Sequence, residues 1–123
     1  MPIAKLGAVV LDCPDPLALA EFYAALVGGT IKPMEENGDS WVDLEDHGGS
    51  ALAFQAAPGY VPPPWPSEGG AQQFHLDVTV DDLDTAEKQV LALGAKVLDA
   101  EDRSRSWRVY ADPAGHPFCL CAC

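Results

Sequence analysis

Leu17-Ala-Leu-Ala-Glu-Phe-Tyr-Ala-Ala-Leu-Val-Gly28 and Leu83-Asp-Thr-Ala-Glu-Lys-Gln-Val-Leu-Ala-Leu-Gly94 align without a gap. They share Leu17/Leu83, Ala20/Ala86, Glu21/Glu87 and Gly28/Gly94, each pair 66 residues apart. Each stretch follows a short apolar run that ends in acidic and turn residues, Ala8 to Asp15 in one case and Phe74 to Asp82 in the other. A repeat at half the chain length is too long and occurs too few times for a solenoid. It predicts two similar units, each opening as strand and helix and continuing as strands, with a cleft between matching faces.

Working outward, Ala4 to Leu11 reads as a strand, Asp15 as the N-cap and Pro16 as the first residue of a helix reaching Val27. Leu19, Phe22, Tyr23 and Leu26 recur at the spacing of one buried helical stripe, and Gly28-Gly29 stops the helix. Strands are expected at Thr30 to Met34, Ser40 to Leu44 and Ala51 to Gln55. The second unit repeats the order: strand Gln73 to Val80, a helix from Leu83 to Leu93 capped by Asp81 or Asp82, then strands at Lys96 to Glu101, Ser106 to Ala111 and Phe118 to Cys123. Asp112-Pro-Ala-Gly115 predicts a hairpin loop of three or four residues with Gly115 in the left-handed region. The result is a single α+β domain: module one over about 1–56, a Pro-rich connector over about 57–72, and module two over about 73–123. Tyr60-Val-Pro-Pro-Pro-Trp-Pro66 is expected to be extended and, being apolar, to lie against the domain.

Seven basic against nineteen acidic residues leave a formal charge of −12. Such a surface repels phosphate backbones and anionic membranes, so neither nucleic acid nor membrane is an expected partner, and a cationic ligand would be drawn in. No apolar run approaches the ~20 residues of a membrane span, and the first residues show no secretory signal, so a cytoplasmic protein is expected. Cys119, Cys121 and Cys123 alternate along one strand, where neighbours two apart are poorly placed for disulfides; with Cys13 they read as free thiols. The spacing is not that of a structural zinc site.

Strand parity isolates a candidate site. In Gln73-Phe-His-Leu-Asp-Val-Thr-Val80 the odd positions are polar and the even ones apolar. The apolar face must meet the helices, which sends His75, Asp77 and Thr79 to the other, concave side. A histidine there is a candidate ligand or general base, or a simple hydrogen-bonded surface residue. Cys119 reads either as a core thiol or as a thiolate activated by His75. His47 is expected to be an exposed turn residue, and His116 to sit at the start of the last strand. Trp41 and Trp107, on matching strands, are candidates for pocket wall or core, and with Asp77 for substrate binding.

Together, Asp15-Pro-x5-Phe22-Tyr23 with Gly28, Phe74-His-Leu-Asp-Val-x-Val-Asp-Asp-Leu83 with Leu93-Gly-Ala95, and Tyr110-Ala-Asp-Pro-Ala-Gly-His-Pro-Phe118 resemble the vicinal oxygen chelate superfamily, which includes glyoxalase I, bleomycin-resistance proteins and extradiol dioxygenases. The likeness is greatest to its small bacterial glyoxalase-like proteins. The resemblance implies two βαβββ modules forming a half-open curled sheet, a homodimer, and a metal ligand on the first and last strand of each module. Carried over, His75 takes the ligand position on the first strand of module two. Its counterpart in module one is Ala8 counted from the pre-helix aspartate or Val9 counted from the helix. Gln55 falls near the late position of module one, and Cys119 stands where a glutamate is usual in module two. The resemblance therefore implies one divalent metal (Zn, Ni, Mn or Fe) on an incomplete set of His75, Gln55 and Cys119, or no metal. It points to a small organic molecule bound in the cup, with metal-assisted lyase-, isomerase- or dioxygenase-type chemistry, while the departures argue against glyoxalase I activity itself. The other reading is a metal-free, bleomycin-resistance-type binding protein, which the −12 charge suits.

Overall fold

In the computed structural model, which describes residues 6–34, 40–63 and 74–122, the chain runs β1 (Val9–Cys13), α1 (Pro16–Val27), β2 (Thr30–Pro33), β3 (Trp41–Glu45), β4 (Leu52–Ala56), β5 (Leu76–Thr79), α2 (Leu83–Ala92), β6 (Lys96–Asp99), β7 (Trp107–Ala111) and β8 (Pro117–Cys121). Two compact units divide at Tyr60 and Val61. Each holds an open sheet of four strands and one helix, in the orders β1-β4-β3-β2 and β5-β8-β7-β6. The first strand of each unit pairs parallel with the last, and the remaining pairs are antiparallel. The fold is α+β, built from two βαβββ modules.

In module one the backbone amide of Ala18 donates to the Asp15 carboxylate (3.2 Å), Pro16 opens α1, and Gly28, at φ 83°, closes it with its N–H on the Ala24 carbonyl (2.9 Å). Leu19, Phe22 and Tyr23 are buried as the stripe predicts, whereas Leu26 is only half-buried and Ala20 takes the remaining core contact. Tyr23 meets Phe22 edge-on (5.0 Å between centroids) and stacks on Phe54 of β4 (5.6 Å). Burying side chains of this size contributes about 1.5–3 kcal/mol each. Along β1 and β4, Val9, Leu11 and Cys13 share the helix side with Leu52, Phe54 and Ala56, which leaves Val10, Asp12, Ala53 and Gln55 on the other face.

Module two repeats the plan with a more polar helix. Asp82 caps α2, accepting from the Thr85 amide and hydroxyl. Only Ala86 and Val90 of α2 are buried. Phe118 and Leu120 lie on the helix side of β8, with Leu76 and Val78 beside them on β5. The loop Pro113–Gly115 is the expected hairpin of three residues. Asp112 N–H donates to the His116 carbonyl (2.9 Å) and Gly115, at φ 92°, to the Asp112 carbonyl (2.8 Å), while the buried Asp112 carboxylate accepts from Ala114 and His116 amides. Pro62 lies against Gly115, so the described part of the connector does pack on the domain; Trp65 and Pro66 lie outside the described residues.

Most strand bounds shift by a residue or two from expectation, and those of β1, β5 and β8 bear on the site. β1 begins at Val9, after the non-strand residues 6–8, with Ala4 and Lys5 of the expected strand outside the described residues. It continues through Asp12 and Cys13, because both pair with β4 and the ladder runs on to the Ala57 amide, which donates to the Cys13 carbonyl. β5 starts at Leu76, leaving His75 just ahead of the strand, and β8 ends at Cys121. Cys123 and Gln73 lie outside the described residues. No described helix is long and apolar enough to cross a membrane.

Candidate metal centre

The register of module two brings three chemically distinct donors together. β5 and β8 pair Asp77 directly with Cys119, and in a parallel pair such partners point to the same side. His75, two residues before Asp77, shares that side, and its Nε2 lies 3.2 Å from Asp77 Oδ1. One nitrogen, one carboxylate oxygen and one sulfur thus fall within 4.8 Å of one another. The surroundings differ sharply: His75 and Asp77 are exposed and Cys119 is buried. Burial first, then the charge of Asp77, pushes the Cys119 thiol up to about 12, with Arg105 acting weakly the other way. A thiol so placed stays protonated and unreactive at neutral pH unless a cation replaces its proton, so His75 does not make it a free thiolate nucleophile.

This donor set fits a divalent ion of intermediate softness. Three ligands of N, O and S type match the number that catalytic zinc sites draw from protein, and the single carboxylate makes it a poor site for Mg²⁺ or Mn²⁺. Asp77, expected to touch substrate, is therefore placed beside the histidine and the thiol.

Module one carries no such set at the corresponding places. The N-caps Asp15 and Asp82 are 67 residues apart, whereas the hairpin pairs Trp41–Gln55 and Trp107–Cys121 are 66 apart. With both offsets applied, Val10–Ala53 is the counterpart of Asp77–Cys119. The counterpart of His75 is then Ala8, the count taken from the pre-helix aspartate, and not Val9. Gln55 sits two residues beyond Ala53, exposed, between Asp12 of β1 and Trp41 of β3. Trp41 is half-buried and donates its indole N–H to Asp43 (3.0 Å). Gln55 and Trp41 thus belong to the polar face of module one, and His75, Asp77, Cys119 and Trp107 to module two.

A profile described as Glyoxalase-like domain matches residues 8–121. The chain belongs to the glyoxalase-like domain family, within the vicinal oxygen chelate superfamily. Solved structures agree on the fold. This glyoxalase-like chain is similar to a glyoxalase/bleomycin resistance/dioxygenase family enzyme from Burkholderia phytofirmans PsJN, at 21% identity over 95% of this chain and 97% of that one with a TM-score of 0.69. It is similar to a possible glyoxalase from Bacillus cereus, at 16% identity over 96% and 98% with a TM-score of 0.69. It is also similar to the trypanothione-dependent glyoxalase I of Leishmania major, at 15% identity over 96% and 86% with a TM-score of 0.64. Among curated proteins none matches it.

Two further features of this glyoxalase-like domain were not legible as sites in its sequence. Arg105 lies over the Trp107 ring, 3.8 Å from its centroid, and binds both carboxylate oxygens of Asp99 (3.1 and 3.3 Å). On the opposite, helix-facing side of β7, buried Arg108 pairs with Asp84 (2.9 Å), and the Tyr110 hydroxyl donates to Glu87 (2.7 Å). A cavity of about 650 Å³ opens elsewhere, in module one, walled by Pro14, Pro16, Leu17, Pro33 and Val42. None of the three donors lines it, and its nearest carboxylate, Asp15, is engaged as the α1 cap. Reactive groups decide a site ahead of volume, so the donor cluster is the candidate centre. His47, expected to be exposed, is half-buried, its Nε2 2.6 Å from the Ser50 carbonyl.

Proposed function

We propose that this glyoxalase-like protein binds a divalent cation, zinc by the nature of its donors, at His75, Asp77 and Cys119, and uses it to hold a small organic molecule on the helix-free face of module two. The observation that carries this reading is the grouping of nitrogen, oxygen and sulfur donors within 4.8 Å at a strand pair whose register makes two of them direct neighbours. A zinc ion bound there supplies a Lewis acid that polarises a carbonyl or a pair of adjacent oxygens. The chain's own part would be to hold the ion through His75 and Asp77, which are exposed to solvent and to an approaching molecule, and through Cys119, which is buried. Exposed Trp107 on the same side of β7 offers an aromatic wall. The three described thiols, none bridged to another, favour a cytoplasmic setting, and the edge strands β1, β2, β5 and β6 of the two sheets favour a homodimer.

The metal-free binding reading keeps one specific support, the protonated Cys119 thiol, because zinc has to displace that proton. Elemental analysis separates the two. After incubation with Zn²⁺, Ni²⁺, Mn²⁺ or Fe²⁺ and removal of free ion, the wild type should retain zinc near one equivalent, and His75→Ala and Cys119→Ser should lose it with unchanged circular dichroism. Cobalt in place of zinc should give a near-ultraviolet thiolate charge-transfer band that Cys119→Ser abolishes. A wild type that retains no metal overturns the cation reading in favour of the metal-free one.

A further inference from the structure

Arg105 is held more firmly than an arginine in an exposed loop needs to be. Three of its guanidinium hydrogen bonds go to Asp99, two to the carboxylate and one to the backbone carbonyl (3.2 Å), and the plane rests on Trp107. Of the five N–H donors of a guanidinium, two remain, and one of them, on Nε, is buried without a hydrogen-bond partner among the described residues. Leaving such a donor unmet costs about 1–3 kcal/mol, so the guanidinium is held in place by Asp99 and Trp107 against that cost.

The position of this group follows from the sheet. Trp107 pairs with Cys121 and Val109 with Cys119, so all four share one face. Trp107 is therefore the diagonal neighbour of Cys119, at the roughly 7–8 Å of such neighbours. Val109 and Cys121, both buried, form an apolar floor between them. A fixed positive group thus stands one short molecule's length from the donor cluster, in a chain whose formal charge is −12.

We propose that Arg105, seated on Trp107 and braced by Asp99, is the specificity-determining residue of this site, selecting small molecules that carry a carboxylate some 7–8 Å from the oxygens that meet the cation. This rests on the function proposed above. The carboxylate accepts from the one outward Nη1 N–H that Asp99 leaves unspent, and the Asp99 brace fixes its direction, which is the pre-organisation that makes a charge-assisted contact worthwhile at a partly covered site.

A matched pair of probes tests it: acetohydroxamate, which chelates through two oxygens, and adipic acid monohydroxamate, which adds a carboxylate on a four-carbon arm long enough for that separation. Titration calorimetry on zinc-loaded wild-type protein should show the carboxylated probe binding at least tenfold tighter. Arg105→Gln should reduce that ratio to near one while leaving the affinity for acetohydroxamate unchanged, and Arg105→Lys should keep part of the ratio. A ratio near one in the wild type, a ratio that survives Arg105→Gln, or no binding of either probe overturns the proposal. Zinc retention, measured on the same samples, is independent of Arg105. Its absence strikes the cation reading alone, and a preference for the carboxylated probe in metal-free protein would then uphold Arg105.

Discussion

Arg108 offers a sharp test of how module two is held together. Its side chain is 5% exposed and lies between α2 and the sheet, 2.9 Å from Asp84 and 3.9 Å from Glu87. An ion pair so buried invites the expectation that removing it unfolds the helix from the sheet. The geometry argues otherwise. Asp84 is 75% exposed, so its attraction is screened and its return to water costs little. Glu87 keeps the Tyr110 hydroxyl and Arg103 when Arg108 is gone. Against that modest loss stand two buried guanidinium nitrogens, Nε and Nη1, without hydrogen-bond partners among the described residues, each costing about 1–3 kcal/mol. Val42, 2% exposed, fills the corresponding place in module one: Val42 pairs with Phe54 as Arg108 pairs with Leu120. An apolar side chain is thus compatible with the architecture. Arg108→Met should be neutral or stabilising by about 1 kcal/mol, in line with buried ion pairs replaced by well-packed apolar groups. Glu87→Ala should instead cost about 2–3 kcal/mol, because it removes the less exposed of the two carboxylates beside the buried guanidinium and leaves the Tyr110 hydroxyl without its acceptor. Urea unfolding at neutral pH reads both, and 1 kcal/mol corresponds to about 3–5 °C in Tm at this length. A loss above about 2 kcal/mol for Arg108→Met would refute the reasoning, since it would mean the pair contributes more than its unmet donors cost.

The pH profile should carry two signatures. The Tyr110 hydroxyl, against the opposing pull of burial, and then Arg103 hold the Glu87 carboxyl below its usual 4.5, so its contribution is present above that value and lost as pH falls through the lower folded one. Glu87→Gln should flatten the acid limb of the stability curve, and an unchanged limb would rule Glu87 out. At the alkaline end, Cys119 and Tyr110 are each pushed up to about 12, from 9.0 and 10.0, chiefly by burial. Their neutral forms give stability that is whole below those starting values and fades toward 12, so native Cys119 should resist iodoacetamide at mildly alkaline pH; rapid alkylation in folded protein would contradict this. Finally, Gly28 and Gly29 both have positive φ, but only at Gly29 (φ 102°) would a Cβ collide, with the Glu45 carbonyl oxygen at 2.5 Å. Gly29→Ala should therefore destabilise clearly more than Gly28→Ala, which should cost about 1–2 kcal/mol in backbone strain alone; equal losses would show that the close approach does not matter.

The sequence was most legible where periodicity and caps agree. The two helices emerged within a residue of their bounds because Asp15, Asp82 and the terminal glycines bracket regular stripes. The parity of Leu76 to Thr79 sent Asp77 to the face away from α2, where it lies, whereas the place of Cys119 beside it stayed open, because pairing two distant strands needs a register that no local pattern encodes. For the same reason the choice between Ala8 and Val9 stayed open: the repeat changes offset from 67 at the caps to 66 in the hairpins, and a one-residue slip reverses the face of a strand. Arg105 and Arg108 were invisible as partners of anything, since a charged residue in a loop or strand looks solvent-exposed until its neighbours are known.

The two modules, similar in topology, divide their tasks by a handful of substitutions at matched positions. Ala8, Val10 and Ala53 against His75, Asp77 and Cys119 make one helix-free face inert toward metals and the other a donor cluster. Val42 and Leu44 against Arg108 and Tyr110 make one helix interface apolar and the other ionic. These differences fall on β5, β7 and β8, and alternate residues of β7 and β8 supply the floor beside the cluster and the side chains that face α2. Anything that shifts β7 toward α2 must therefore move Trp107 and Val109 on the other side as well, because a strand carries both faces rigidly. Glu87→Ala, if it loosens α2, should then weaken the carboxylate preference assigned to Arg105 although Glu87 lies on the far side of the sheet. A preference untouched by a destabilised α2 would show that the brace from Asp99 and Trp107 holds Arg105 independently of the helix.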